Sequence, residues 1–396
     1  MKNERLLLFI LAVVQFSHIV DFMIVMPLGK QLMTIFDITP QQFTLIVASY
    51  SFAAFLAGLV GAFFIDKYDR KHALLFTYIG FSLGTIACAF APTFEILLLF
   101  RSISGLFGGS LATIVLAIIG DVIPYHRRST AMGIIMTAFS VASVVGVPIG
   151  ISLAAQFGWQ MPFLAVGGMS VLVSIGIFFW MPSIRVHLEK DELTVNPLAN
   201  FISIFKNKNQ GLALLFTIVL MLGHFTIIPF IAPYMQFNLG FSDMEVSYIY
   251  FFGGLSTVIA LPLFGKLGDR FGNFPILLIA SVGAIFSIFA ITNLMPVGMW
   301  VAVLVTTSYF VVASGRNVPA TTMVTAVVKA ENRGSFMSVR TSAQQLALGS
   351  SSLLAGAIVV EGADGALVNY EIVGYIAIGM SILAVVLARY LKVVKE

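Results

Sequence analysis

Long apolar runs broken by short polar segments set the pattern of this chain. About 20 consecutive apolar residues cross a bilayer as a helix. Twelve such stretches are present, at 6–28, 43–65, 73–91, 95–120, 131–155, 160–182, 211–234, 245–265, 274–294, 299–323, 335–359 and 372–391. The runs are continuous and do not alternate over about ten residues, which excludes a transmembrane β-barrel. The longest polar stretch, Ser183–Asn209, separates six spans from six. The pattern therefore predicts an all-α membrane protein of twelve transmembrane helices in two six-helix halves. The halves run over 1–182 and 210–396, with a cytoplasmic linker at 183–209. Within that linker Phe201, Ile202, Ile204 and Phe205 fit either a short amphipathic helix on the inner membrane face or a partly ordered connection.

Composition narrows the class further. Of 396 residues 59% are hydrophobic and 10% charged, with 36 Phe and a mean hydropathy of +0.99. A soluble domain carries about a quarter charged residues, so a soluble enzyme, a nucleic-acid-binding protein and a disordered chain are excluded. The main partner is the lipid bilayer. Among the 22 Lys and Arg, only Lys30 falls in an outer loop if the N-terminus is cytoplasmic. Arg101, Arg316 and Arg340 lie inside spans, and the remaining 18 fall on the inner side. That bias predicts both termini in the cytoplasm. The first span is too long for a signal-peptide core and no small-residue cleavage site follows it, so it is expected to be retained. The single cysteine, Cys88, lies in an apolar run and reads as a packing residue.

Corresponding loops of the two halves resemble each other. Asp66-Lys67-Tyr68-Asp69-Arg70-Lys71 follows span 2, and Gly265-Lys266-Leu267-Gly268-Asp269-Arg270-Phe271-Gly272 follows span 8, with 203 residues between Asp66 and Asp269. Arg128-Ser129-Thr130-Ala131-Met132 and Arg333-Gly334-Ser335-Phe336-Met337 repeat at an offset of 205. Near-equal offsets point to a duplicated six-helix unit, an arrangement that places a substrate cavity between repeats near mid-membrane.

These residues resemble the major facilitator superfamily across the whole chain. The loop after span 2 is similar to its Gly-x-x-x-Asp-Arg-x-Gly-Arg-Arg signature. Asp66, Lys67, Arg70 and Lys71 fit the charged positions, while Ala62 and Asp69 stand where glycines are usual. The second copy keeps Gly265, Asp269, Arg270 and Gly272. In span 5, Gly146-Val147-Pro148-Ile149-Gly150 followed by Phe157-Gly158-Trp159 resembles the antiporter motif of the twelve-span drug:proton antiporter family. Its Gly-x-Pro-x-Gly form is most similar to the sugar-efflux and arabinose-efflux permease branch, which implies export. Gly146 and Gly150 share one helix face and permit close helix approach, here expected at the contact of the halves. Pro148 bends the helix or frees a carbonyl. By the same resemblance Asp66, Arg70 and Asp121 form a charge cluster at an inner gate.

An ionisable group inside the membrane is costly and marks a functional candidate. His18 and Asp21 are three apart on span 1 and share a face. Asp21 lies roughly 10 Å below the outer end of span 1, and Arg101 roughly 10 Å below that of span 4, at 1.5 Å per residue. Equal depth predicts an Asp21–Arg101 pair, and Arg101 fits the arginine of the family's span-4 motif, with Gly105 and Gly109 following at four-residue steps. A carboxylate in a low-dielectric site tends to hold its proton, and a nearby cation opposes this. Motion of Arg101 relative to Asp21 would then load or release one proton, with His18 as a candidate extension. Against this stands a static pair that ties two helices. The second half has no buried acid. Arg316 and Arg340, if they face the cavity, favour an anionic or strongly accepting substrate. His224, Asn317, Gln344 and Gln345 are candidate hydrogen-bonding groups, and Tyr50, Tyr250, Phe251 and Phe252 candidate aromatic walls.

The expected function is proton-coupled export of a small amphiphilic, drug-like or sugar-like compound, with the proton as coupling ion and no cofactor or metal. The alternative is a proton-linked importer of a nutrient or organic anion on the same fold. No Gly-Lys-Ser/Thr phosphate loop is present, so ATP hydrolysis is unsupported. A membrane-embedded enzyme would need clustered His, Asp or Cys, and the five His are scattered. A non-transporting sensor is disfavoured by the retained Asp21 and inner loops. A monomer in a bacterial inner membrane is expected.

Overall fold

Backbone N–H and C=O groups find no water in hydrocarbon, so apolar runs of this length become helices that satisfy those groups internally. The computed structural model describes residues 4–64, 67–185, 204, 206–329 and 333–394. In chain order its helices are α1 (Glu4–Ile24), α2 (Gly29–Phe36), α3 (Pro40–Phe64), α4 (Arg70–Cys88), α5 (Phe94–Val122), α6 (Tyr125–Val141), α7 (Val147–Phe157) and α8 (Met161–Trp180). Then come α9 (Lys208–Phe225), α10 (Ile228–Phe237), α11 (Asp243–Phe271), α12 (Asn273–Thr292), α13 (Met299–Gly315), α14 (Asn317–Thr325), α15 (Arg333–Ile358) and α16 (Tyr370–Arg389). A π-helical turn, Ala142–Gly146, joins α6 to α7.

Among the described residues ten stretches are long and apolar enough to cross a membrane, some built from two consecutive helices. α4 and α15 occupy two more of the expected spans, but α15 carries Arg333, Arg340, Gln344, Gln345 and six serines. The structure thus shows a helical multi-span protein, with ten spans by length and composition against the twelve read from the pattern.

Two features depart from the sequence reading. Val360–Glu361 pairs antiparallel with Leu367–Val368, Val360 opposite Val368. The Asp364-Gly365 turn, with Gly365 at φ 78°, closes this hairpin. Asn238 clamps it, donating to the Leu367 carbonyl at 2.8 Å and accepting from its amide at 3.0 Å. The second feature is α2, a short helix where an outer loop was expected, ended by Asp37 in the left-handed region. The amphipathic helix considered for Phe201–Phe205 lies almost wholly outside the described residues.

The chain forms two compact units, Met1–Val25 with Ser49–Pro197, and Met26–Ala48 with Leu198–Glu396. The change of unit between Pro197 and Leu198 falls inside the 183–209 linker, and α2 and the first turns of α3 group with the second unit. There Gln31 donates to Asp243 at 2.9 Å and Phe43 packs edge-on to Phe230. The first unit is centred on Leu11, Val14, Leu74, Phe81, Ile114 and Ile118. The second buries Phe216, Phe230, Tyr309, Phe336 and Tyr370. Large apolar side chains also point outward: Phe76, Phe179, Phe286 and Leu304 are each 70% exposed or more. Helices apolar on all faces are those of a protein solvated by lipid.

Small residues let these helices approach. A Cβ at Gly105 or Gly109 of α5 would strike the backbone of Tyr50 or Ala54 on α3. The four-residue glycine step is therefore a packing seam. Gly105→Leu is expected to destabilise the protein by about 1–3 kcal/mol through overpacking, read as a lower melting temperature in detergent. Gly168→Ala, where an added Cβ meets nothing within 4 Å, should leave it unchanged or raised. Equal melting temperatures for the Gly105→Leu and wild-type proteins would contradict the seam.

Candidate functional site

In the first unit α1 and α5 bring one acid and one base together. Ser17, His18 and Asp21 fall on the buried face of α1. Thr93 caps α5, and Arg101 lies two turns along its buried face. Arg101 Nη1 donates to Asp21 Oδ2 at 2.8 Å, with the side chains 1% and 0% exposed. The guanidinium carbon sits 4.5 Å from the Tyr50 ring centre and 5.9 Å from that of Phe163. The predicted pair is thus formed, and Tyr50 serves as its wall. Arg101 Nε, both nitrogens of His18 and Tyr50 Oη have no hydrogen-bond partner among the described residues, and the Thr85 hydroxyl stands against the Asp21 carboxylate. His18 shares the face of Asp21 but packs between Tyr50 and Phe81, ring centres 6.1 and 6.2 Å away. A dry ion pair in which the arginine holds only one of the two carboxylate oxygens leaves room for a proton to compete with it.

The span-5 motif has a local structural cause. Pro148 cannot donate the helical hydrogen bond of its position. The π-turn just before it reroutes the ladder, with the Val147 amide bonding the Ala142 carbonyl. Gly146 and Gly150 lie against Val20 and Ile24 of α1, where a Cβ would clash. The glycines therefore serve contact with α1 in their own unit, whereas the contact expected from sequence was between halves. That places the motif one turn from Asp21.

At the other end of the first unit, Arg70 Nε meets Asp121 Oδ2 at 2.7 Å. Asp66 lies outside the described residues. The acid that organises this end is Asp69, which stands where the family signature has glycine. It caps α4 by accepting from the Lys71 amide at 2.8 Å. It also accepts from Ser183 Oγ, the Ile184 amide and Arg185 Nε. Partial burial opposes its charge, but those four donors outweigh it and hold the carboxyl well below the usual range. The Ile184 carbonyl in turn accepts from the Arg70 amide. The start of the linker is thus latched to the start of α4. Sequence reasoning passed over Asp69, although an Asp directly before a helix is a standard capping signal. In the second copy Gly265, Asp269 and Arg270 sit in the last turns of α11, which continues through the expected loop. Asp269 and Arg270 are exposed, and among the described residues neither is in an ion pair.

The second unit has a different centre. Span 7 breaks into α9 and α10 at Thr226 and Ile227, just before Pro229, and Pro233 lies inside α10. Tyr309 donates to the His224 carbonyl at 2.7 Å and Tyr370 to the Ile227 carbonyl at 2.9 Å, so two buried hydroxyls satisfy the break. Span 10 divides into α13 and α14 at Arg316, with Pro319 just beyond. Arg316 is fully buried, and its Nη1 donates to Ser381 Oγ at 2.8 Å. His224 stacks on Tyr309 with ring centres 6.0 Å apart. Tyr250 is buried, whereas Phe251 is exposed and Phe252 packs on Trp300. Arg340 reaches Thr321 at 3.0 Å, and Gln344 reaches the Met221 sulfur. The side-chain carbonyls of Asn317 and Gln345 lack partners among the described residues. Tyr309, Tyr370 and Ser381 were missed, because a buried hydroxyl in an apolar run reads as packing until its partner is seen. An apolar groove between α4 and α5, lined by Phe76, Leu83 and Phe107, faces outward and holds none of this chemistry.

The chain matches the family model described as Major Facilitator Superfamily over residues 11–318 and 213–396. Among curated relatives it is 24% identical to "Putative transporter AraJ" of Escherichia coli over 57% of this chain and 56% of that protein. It is 26% identical to the MFS-type transporter YwfA of Bacillus subtilis over 93% of this chain and 87% of that one. A "Probable sugar efflux transporter" of Helicobacter pylori is 26% identical over 56% of this chain and 56% of its own length. The match thus spans about half the length of several of these relatives. Solved structures of the same fold include a D-xylose–proton symporter, with TM-score 0.80, 15% identity and 97% of each chain covered. A bacterial homolog of the human lysosomal transporter Spinster aligns with TM-score 0.73 and 20% identity over 89% of this chain and 82% of its own. These relatives are transporters and not enzymes, and the chain belongs to the major facilitator superfamily.

Proposed function

We propose that this protein is a secondary active transporter that exports a small sugar-like or amphiphilic compound in exchange for protons. On this reading twelve spans form two six-helix halves that work by alternating access, in a bacterial inner membrane with both termini cytoplasmic. The observation that carries the proposal is the buried Asp21–Arg101 pair. Protonation of Asp21 would release Arg101, and return of Arg101 would expel the proton, so the pair couples a proton to a helix rearrangement. The Gly146-x-Pro148-x-Gly150 turn packs on α1 beside Asp21, where a shift of span 5 would reach the pair. The names of several relatives support sugar efflux as the direction and substrate type. The proton is the coupling ion, the partners are the bilayer and a small-molecule substrate, and the working unit is a monomer.

Asp21→Asn keeps the side-chain size and removes the titrating group. Proton-driven export should fail, while substrate binding survives. Arg101→Ala should impair coupling as well, and the double variant should be far from additive because both changes act on one proton site. Substrate-induced proton release from purified protein measures this. Continued release by Asp21→Asn would move the carrier elsewhere, with His18 and His224 next in line.

The Arg70–Asp121 pair gives a separate expectation. Asp121→Asn should lower turnover several-fold with little change in substrate affinity, since the pair lies at the inner end of α5 and biases a gate. Transport rates and binding isotherms on the same preparation separate the two. A large affinity loss at unchanged turnover would refute the assignment.

A further inference from the structure

Among the described residues the two fully buried arginines differ in what they face. Arg101 has Asp21. Arg316, fully buried, has no acidic partner among the described residues. Every acid described in the second unit stands at a helix end or in a loop: Asp37 after α2, Asp243 and Glu245 at the start of α11, Asp269 at its end, Glu361 and Asp364 in the hairpin, and Glu371 at the start of α16. A buried, uncompensated charge is strongly unfavourable. A protein that keeps one is organised to have it neutralised by something else.

The hydrogen-bond pattern says what that something is. A guanidinium offers its donors along edges, and the side edge formed by Nε and Nη2 presents two parallel N–H groups matched to two oxygens. In Arg316 the remaining nitrogen, Nη1, is committed to Ser381. Nε and Nη2, the complete side edge, have no acceptor among the described residues. Ser381 is itself held by donation to the Ala377 carbonyl at 2.8 Å. The bond to Ser381 therefore fixes the guanidinium plane and leaves its fork pointing elsewhere. Beside it stand Tyr309, whose hydroxyl is used on the His224 carbonyl, and His224, whose Nδ1 is unmatched. Arg316 lies at the junction of α13 and α14, and His224 just before the α9–α10 break. Discontinuous helices of this kind are where transporters of this architecture expose binding groups.

We propose that the side edge of Arg316 binds a carboxylate of the transported compound, so that the substrate is a hydroxylated monocarboxylic acid of the sugar-acid type and not a neutral sugar. At this point Arg316 is the one cation beside His224, the buried Arg340 being bonded to Thr321, and one cation calls for one negative charge, which favours a carboxylate over a dianionic phosphate. The unmatched Nδ1 of His224 and hydroxyl of Tyr250 suit a substrate that also carries hydroxyl groups. This inference rests on the transporter reading above and sharpens its substrate, without depending on direction or on proton coupling.

The test uses the full-length protein purified in detergent. Its melting temperature is followed with D-gluconate, D-glucuronate and D-galacturonate, and with neutral D-glucose and D-galactose, at constant ionic strength. At least one acid should raise the melting temperature saturably while the neutral sugars do not. The methyl ester of that acid, which keeps everything but the charge, should be without effect, and this arm needs no variant. Arg316→Lys should weaken the acid about tenfold or more, because an ammonium cannot supply the parallel pair. Ser381→Ala, which touches only Nη1, should cost markedly less. The proposal is overturned if no acid acts, if the neutral sugar or the ester acts as well as the acid, or if Arg316→Lys binds the acid unchanged. Binding is read without a gradient, so acid binding with no proton release would sink the export reading alone. Proton-linked export of a neutral sugar would sink this proposal alone.

Discussion

A charge buried in a helical bundle surrounded by hydrocarbon has to be neutralised from within, and that constraint organises this protein. In the first unit the answer is internal: Arg101 donates to Asp21 at 2.8 Å with both side chains out of solvent. The surrounding architecture serves this contact. Glycines of α5 draw it against α3 so that Tyr50 covers the guanidinium, and Gly146 and Gly150 draw the proline-bearing turn onto α1 beside the acid. An ion pair in such surroundings is not a stability device, since its desolvation offsets much of its attraction. In the proposed mechanism its value lies in having two states, paired and protonated.

The second unit meets the same constraint differently. Arg316 is buried with no acceptor on its side edge among the described residues, and at the nearby break between α9 and α10 tyrosine hydroxyls donate to the His224 and Ile227 carbonyls. One unit is self-neutralised and the other carries a net positive interior. In the proposed function that asymmetry separates a coupling site from a recognition site within a duplicated sequence. The inner loops diverge in the same sense. The first copy builds a latch in which Asp69 holds Ser183, Ile184 and Arg185, while the second copy extends a helix and leaves Asp269 and Arg270 exposed.

Much of this was legible in the sequence, for physical reasons. Apolar run length dictates spans, and a lone deep acid with a cation at matching depth has few other partners, so Asp21 and Arg101 could be paired before any coordinates. What escaped is what depends on tertiary neighbours. Asp69 reads only as a departure from the signature glycine until Ser183 and Arg185 are seen to fold back on it. The tyrosines at 309 and 370 read as bulk until the carbonyls they satisfy appear. The role of Gly146 and Gly150 was read from spacing, but spacing does not say which helix they approach. The α2 helix and the Val360–Val368 hairpin were missed because loops are short of periodic signal, although Asp364-Gly365 is a recognisable turn.

The account stands on Asp21 being a proton site governed by Arg101. Infrared difference spectroscopy of the purified protein reads this directly through the carboxyl C=O stretch as pH is lowered. The account predicts a protonated-carboxyl band that is absent in Asp21→Asn and whose titration moves to higher pH in Arg101→Ala, since loss of the cation favours the neutral acid. Identical difference spectra for wild type and Asp21→Asn would contradict it.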